Sequence, residues 1–187
     1  STRGLAVVAG FNISNTVANL FNVVFIALGS AISIIVGQQL GAGKLEEAVD
    51  TDRKMIVFSV FCCFVIGACM FAIAPFFPRI YNTTEEVRGL AKQFIRIASA
   101  CMPLYGFMHA TYFTLRSGGR TVITFLFDSV YIWVVDIPLA FVLTRFTGVP
   151  IVSIYLSCQL IEIIKCIIGY VMVKKKIWVI NMVMEQQ

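Results

Sequence analysis

Charged residues are scarce in this sequence. Only 13% of its 187 residues are charged, whereas 59% are hydrophobic, and the mean hydropathy is +0.87. A soluble domain carries about twice that share of charge. Because a soluble fold must cover its surface with polar groups, it cannot hide so much apolar side chain in one core. The composition therefore predicts a membrane protein, with the lipid bilayer as its surroundings.

Recognisable catalytic and cofactor signatures are also lacking. Histidine occurs once, and the sequence contains no Ser/His/Asp arrangement, no metal-ligand spacing and no cofactor fingerprint. The cysteines form no CxxC pair and all fall inside apolar runs, which favours small packing residues over a zinc or disulfide framework. We therefore expect no enzyme activity, no metal and no cofactor. The six cysteines are Cys62, Cys63, Cys69, Cys101, Cys158 and Cys166.

Long apolar runs are what the sequence does contain. About 20 apolar residues cross the bilayer core as a helix, and an open strand edge in lipid would leave backbone groups unpaired. We predict an all-α bundle of five transmembrane helices, with residues 1–187 forming a single lobe. Glycines separate the spans at Gly41 and Gly43 and again at Gly118 and Gly119, since glycine readily caps a helix end. The expected spans are about 13–39, 55–77, 87–115, 121–144 and 151–173.

Basic residues predict the orientation. The loops near Gly41 and Arg116 and the tail Lys174–Lys176 are richer in lysine and arginine than the opposite loops. The positive-inside rule places them, and the C-terminus, in the cytoplasm. This topology also accounts for the formal charge of +5, so a nucleic-acid partner is not needed.

The first span carries two patterns of small or polar residues. Gly29, Ser33, Gly37 and Gly41 recur every four residues, a spacing that lets another helix pack closely; a hinge is the functional alternative. The same span carries amides that can bond neighbouring helices or contact a substrate. These amides are Asn12, Asn15, Asn19 and Asn22.

Two aspartates fall inside the fourth span, and ionisable residues at that depth usually face a cavity or a partner. Asp128 and Asp136 are separated by about 12 Å of helix rise and about 80° of rotation. Asp136 precedes Pro138, which frees a backbone carbonyl. Both are candidates for binding a sodium ion or a proton, although Asp128 could instead bond a neighbouring helix. Their separation argues against an aspartyl enzyme, whose two carboxyls nearly touch.

The fifth span carries Glu162 and Lys165, three residues apart and therefore neighbours on one helix face. The pattern favours an internal neutralised pair, with Glu162 as a further coupling candidate. Tyr155, Gln159 and Glu162 also form a polar stripe suited to a cavity wall.

The third span carries the single histidine on a polar face. The residues recur at i, i+4, i+7 and i+11, which places them on one side of a helix. Such a face can contact an aromatic or cationic substrate, or bond another helix. Its members are Tyr105, His109, Tyr112 and Arg116.

Three segments, in this order, resemble the MATE (multidrug and toxin extrusion) transporters. Phe11-Asn-Ile-Ser14 precedes the first span, and Val36-Gly-Gln-Gln-Leu-Gly-Ala-Gly43 followed by Lys44-Leu-Glu-Glu-Ala48 resembles the end of the second helix of a lobe. Leu115-Arg-Ser-Gly-Gly-Arg-Thr121 resembles the loop between the fourth and fifth helices. The similarity covers nearly the whole chain.

The resemblance implies a transporter of two six-helix lobes that exports drugs and organic cations by alternating access, in exchange for sodium or protons. This chain would supply helices two to six of one lobe, and Lys174-Lys-Lys-Ile-Trp178 points to the C-terminal lobe. The first helix of the lobe and the whole N-terminal lobe would be missing, which fits the absence of a starting methionine. The expected location is the plasma membrane.

One position departs from the family pattern. Some members use a carboxylate in the helix that matches 87–115, and Tyr105 lies about where it is expected. Coupling could then lie in the absent lobe or use Asp128 or Asp136. A flippase for lipid-linked precursors and a non-transporting structural subunit are the alternative functions.

Overall fold

The computed structural model describes residues 4–119 and 121–179, and within them the chain is helical with no β-strand. Five long helices follow one another, with one short 3-10 turn at Phe77–Ile80. They are α1 (Leu5–Gly41), α2 (Leu45–Ile73), α3 (Glu85–Ser117), α4 (121–146) and α5 (Ile151–Lys174). The all-α prediction is confirmed, and α1 and α2 begin eight to ten residues earlier than expected.

Four of the five helices are long and apolar enough to cross a membrane: α1, α2, α5 and the stretch Asp128–Phe146 of α4. Helix α3 is more polar, and it is also the helix against which α1, α2 and α5 all pack. Neighbouring helices shield it, so it does not need an apolar surface on every side. The sequence therefore predicted the helix, and the packing explains why its hydropathy is lower.

Helix α3 begins at a capped end. Thr84 is the N-cap, and its hydroxyl accepts a hydrogen bond from the backbone N–H of Val87 at 3.4 Å. Glu85 and Glu86 occupy the first turn, where acidic side chains interact favourably with the helix dipole. Arg88 contacts Glu85 at 2.7 Å. These local signals position the helix that organises the bundle.

Glycines bring α1 and α2 close to α3. A Cβ on Gly67 of α2 would lie 2.6 Å from the carbonyl oxygen of Ser99, and one on Gly29 of α1 would overlap the Phe113 ring. Pro103 lies four residues after Ser99 and has no N–H to donate to that carbonyl. The Ser99 carbonyl therefore lacks its regular i+4 backbone donor and lies against Gly67. We call α1, α2 and α3 the packed triplet.

Helices α4 and α5, which we call the outer pair, are packed less tightly. Two five-residue π-helical segments, Leu126–Val130 and Ile132–Asp136, interrupt α4. No described residue from Ile132 to Phe146 is buried. Pro138 explains the second segment, because its ring displaces the i−4 carbonyl and widens the turn. Helix α5 meets both α3 and α4 and so links the two regions.

The six cysteines are free thiols. Cys63, Cys101 and Cys166 are buried, Cys62 and Cys158 are half-buried, and Cys69 is exposed. Cys63 contributes to the core between α1, α2 and α3. The packing interpretation therefore fits the buried cysteines best.

Candidate functional site

Four ionisable side chains meet between α4 and α5. Helix α4 contributes Asp128 and Asp136, one from each π-helical segment, and α5 contributes Glu162 and Lys165. The expected 80° separation of the aspartates assumed a regular α-helix, and the wide turns change it. π-helical segments recur at functional sites because they re-aim the side chains they carry. We call these four residues the carboxylate cluster.

Lys165 is the only base of this cluster, and it reaches across to the neighbouring helix. Its Nζ donates to Asp128 Oδ1 at 2.7 Å, although Glu162 on its own helix was the expected partner. Lys165 is only 4% exposed, so its charge needs a close acceptor. The charge of Lys165 also acts on Glu162, so the expected Glu162–Lys165 pairing stays a prediction. The contact with Asp128 agrees with the alternative that Asp128 bonds a neighbouring helix.

Tyr131 completes this contact between the helices. The Lys165 ammonium lies 5.7 Å from the centre of the Tyr131 ring, a cation–π distance. The Tyr131 hydroxyl donates to the carbonyl oxygen of Ile161 at 2.8 Å. Tyr131 was not predicted from the sequence; its position three residues after Asp128 was the available signal.

Asp136 and Glu162 form the other half of the cluster. Their carboxyl groups lie beside each other. Asp136 Oδ1 and Glu162 Oε2 are shielded from solvent and accept no hydrogen bond from the described residues. Buried carboxylate oxygens are normally satisfied, so this pair has unused capacity to bind a proton or a cation.

The predicted polar faces of α3 and α5 meet next to this pair. Gln159 Nε2 donates to the Tyr155 hydroxyl at 2.9 Å, and the Tyr105 hydroxyl lies beside Gln159 and near Glu162. Tyr155 also packs edge-on against Phe94, with 5.0 Å between ring centres. The structure therefore joins Tyr105 and Gln159 to the carboxylate cluster in one continuous polar region.

The remaining members of the α3 face lie elsewhere. His109 Nδ1 lies 3.0 Å from the Tyr105 carbonyl oxygen, and its ring stacks on Phe25 of α1 at 5.3 Å. Tyr112 packs edge-on against Phe113, and Arg116 is exposed at the end of the helix. His109 thus serves the α1–α3 interface here, which was the structural alternative.

The amides of α1 lie on its more open side. Asn22 Nδ2 donates to Asn19 Oδ1 at 3.3 Å, and Asn19 is exposed while Asn15 and Asn22 are half-buried. This bond is local to α1, so the described part of the chain gives no support to a role for these amides as bonds between helices. A polar strip on a membrane helix requires a cavity or another segment opposite it.

The glycine motifs divide into two groups. A Cβ on Gly118 would overlap the Trp178 carbonyl oxygen, so the segment after α5 packs directly on this glycine. Gly43 and Gly119 have φ of +75° and +73°, the left-handed region that glycine favours. By contrast, an added Cβ on Gly37 or Gly41 meets nothing within 4 Å. Close packing was expected along the face of Gly29, Ser33, Gly37 and Gly41, and among these glycines the structure shows it at Gly29.

A buried aspartate was also not predicted from the sequence. Asp52 of α2 is 1% exposed and accepts a hydrogen bond from the Thr114 hydroxyl of α3 at 2.5 Å. It precedes the expected start of this span at about residue 55 and lies beside exposed charges such as Asp50 and Lys54, so hydropathy did not single it out. Within the described residues no cluster of histidine, cysteine and acidic side chains could hold a metal ion.

Comparison with known proteins agrees with this architecture. The family model MatE matches residues 1–142. The chain belongs to the MatE family. The MatE match and the apolar helices together make it a multi-pass membrane protein of a transporter family, as the sequence motifs indicated.

Two curated relatives illustrate the similarity. The probable multidrug resistance protein YoeA of Bacillus subtilis is 23% identical over 153 residues, covering 80% of this chain and 32% of the relative. The probable multidrug resistance protein NorM of Oceanobacillus iheyensis is 25% identical over 138 residues, covering 70% and 29%. The chain therefore spans about a third of the length of these relatives. No solved structure gave a significant match.

Proposed function

We propose that this chain forms part of a cation-coupled antiporter that exports drugs or organic cations by alternating access. The intact protein would add the first helix of this lobe and a second, N-terminal lobe. It would lie in the cell membrane with its C-terminus in the cytoplasm. Family membership and the names of the relatives support export as the activity.

The observation that carries the proposal is the Asp136–Glu162 pair. Two carboxylates side by side at low dielectric repel strongly when both are charged. A cation or proton bound between them relieves that repulsion, so occupancy of the pair changes the energy of the α4–α5 contact. Asp136 Oδ1 and Glu162 Oε2 have the free acceptor capacity that such binding needs.

Lys165 favours a proton over sodium as the coupling ion. Its ammonium is fixed within the cluster by Asp128 at 2.7 Å. A sodium ion would place a second positive charge close to this buried cation and would need several oxygen ligands. A proton requires only one carboxylate oxygen, which Asp136 or Glu162 supplies.

The surroundings of the Asp136–Glu162 pair support a movement of α4 when the pair binds a proton or a cation. Tyr105 and Gln159 lie next to Glu162, on the side of the bundle where we place the substrate cavity. No described residue of Ile137–Phe146 is buried, so this part of α4 can shift without opening a packed core. Loosely packed elements are the ones that move in conformational changes.

Cellular export of a fluorescent cationic dye tests the proposal. Cells that produce the intact protein should retain less dye than control cells, and this difference should depend on the proton gradient. Asp136→Asn and Glu162→Gln should raise dye retention close to the level of cells without the protein. Asp50→Asn, which alters an exposed carboxylate paired with Lys54, is the matched control. Export by Asp136→Asn and Glu162→Gln at the native level would exclude the pair from coupling.

A further inference from the structure

A groove of about 640 Å³ separates α2 from α5, and none of its lining residues belongs to the carboxylate cluster. Its size falls within the range of small-molecule sites. The walls are largely apolar, and α3 contributes the floor. The main apolar contacts are Val49, Val57 and Val60 of α2, Phe107 of α3, and Tyr170 and Val173 of α5.

Three exposed cations surround one end of this groove. They are Arg53 of α2, Lys174 at the end of α5, and Lys176 in the segment that follows. Asp52 also lines the groove, but its Oδ1 already accepts the Thr114 hydroxyl hydrogen bond. Among the described lining residues the three exposed cations outnumber the single buried acidic group, so this end of the groove carries a net positive charge.

The segment after α5 closes this end. Trp178 lines the groove, is 1% exposed, and its carbonyl lies against Gly118 of α3. Its indole Nε1 is buried without an acceptor among the described residues. The Lys174 ammonium lies 5.7 Å from the centre of the Tyr170 ring. Aromatic and cationic side chains therefore lie together at this end of the groove. Such a combination is typical of the membrane–water interface.

We propose that this groove binds an anionic phospholipid. Its acyl chains would lie along the apolar walls, and its phosphate would lie between Arg53, Lys174 and Lys176. Basic pockets between membrane helices bind anionic lipid headgroups through the same charge complementarity. The apolar face of another helix would fill the walls but bring no anionic group to the three exposed cations, so a lipid fits the groove better.

Thermal stabilisation by added lipid tests this site. The intact protein, purified in detergent, should gain more in melting temperature from phosphatidylglycerol than from phosphatidylcholine with the same acyl chains. The triple variant Arg53→Gln, Lys174→Gln, Lys176→Gln should lose this preference for phosphatidylglycerol. All three side chains are exposed, so the variant should fold.

A charge-matched variant serves as the control. Lys44→Gln, Arg79→Gln and Arg145→Gln together remove the same charge from exposed positions outside the groove, and this variant should keep the native lipid preference. Equal stabilisation of the native protein by the two lipids would overturn the proposal and favour coverage by another helix. An undiminished phosphatidylglycerol preference in the groove variant would also overturn it.

Discussion

The packed triplet and the outer pair hold their helices together in different ways. In α1, α2 and α3, apolar side chains such as Val17, Met70 and Ile95 form a shared core. Between α4 and α5, by contrast, an ion pair and a tyrosine hydrogen bond are the main directional contacts. The carboxylate cluster therefore lies where packing is weakest, which is where we expect a change of charge to alter how the helices meet.

The largest expected difference in stability is between alanine substitutions of two phenylalanines. Phe94 of α3 is 1% exposed, whereas Phe141 of α4 is 61% exposed. Phe94→Ala should lower the free energy of unfolding by about 3–5 kcal/mol, because it leaves a cavity in the core. Phe141→Ala should change it by about 0.5 kcal/mol or less. Melting of the purified intact protein measures both, and equal losses would remove the distinction between the two regions.

A smaller contrast compares two helical glycines. Gly67→Ala should destabilise the protein by about 1–3 kcal/mol, because its Cβ would lie 2.6 Å from the Ser99 carbonyl oxygen and α2 would have to move from α3. Gly37→Ala is the matched control, since nothing lies within 4 Å of its added Cβ, and alanine favours a helix. If Gly67→Ala and Gly37→Ala have the same melting temperature, α2 does not pack closely against α3 at Gly67.

Sequence patterns predicted the helices well because they depend on local information. Apolar runs marked all five helices, although α1 and α2 begin eight to ten residues before the expected positions. The glycine spacing of α1 was less informative. It predicted a continuous packing face, and of the three glycines in that pattern only Gly29 approaches α3 closely, because periodicity defines a face without showing what lies opposite it.

The residues of the carboxylate cluster were singled out individually from the sequence, whereas their arrangement was not predicted. Hydropathy alone singled out Asp128, Asp136 and Glu162, since charged groups stand out in apolar helices. The contact of Lys165 with Asp128 depended on how α4 and α5 cross, and the π-helical segments altered the rotation between the aspartates. Sequence spacing assumes regular helices, so it could predict neither the Asp128–Lys165 contact nor the Asp136–Glu162 pair.

The most direct test of the central claim is dye accumulation in proteoliposomes under an imposed proton gradient. The intact native protein should concentrate a cationic dye against its own gradient. Asp136→Asn, which removes one ionisable carboxyl of the pair, should lose this uphill accumulation while dye still equilibrates down its gradient. Gradient-driven accumulation by Asp136→Asn and Glu162→Gln equal to that of the native protein would contradict coupling at the carboxylate cluster.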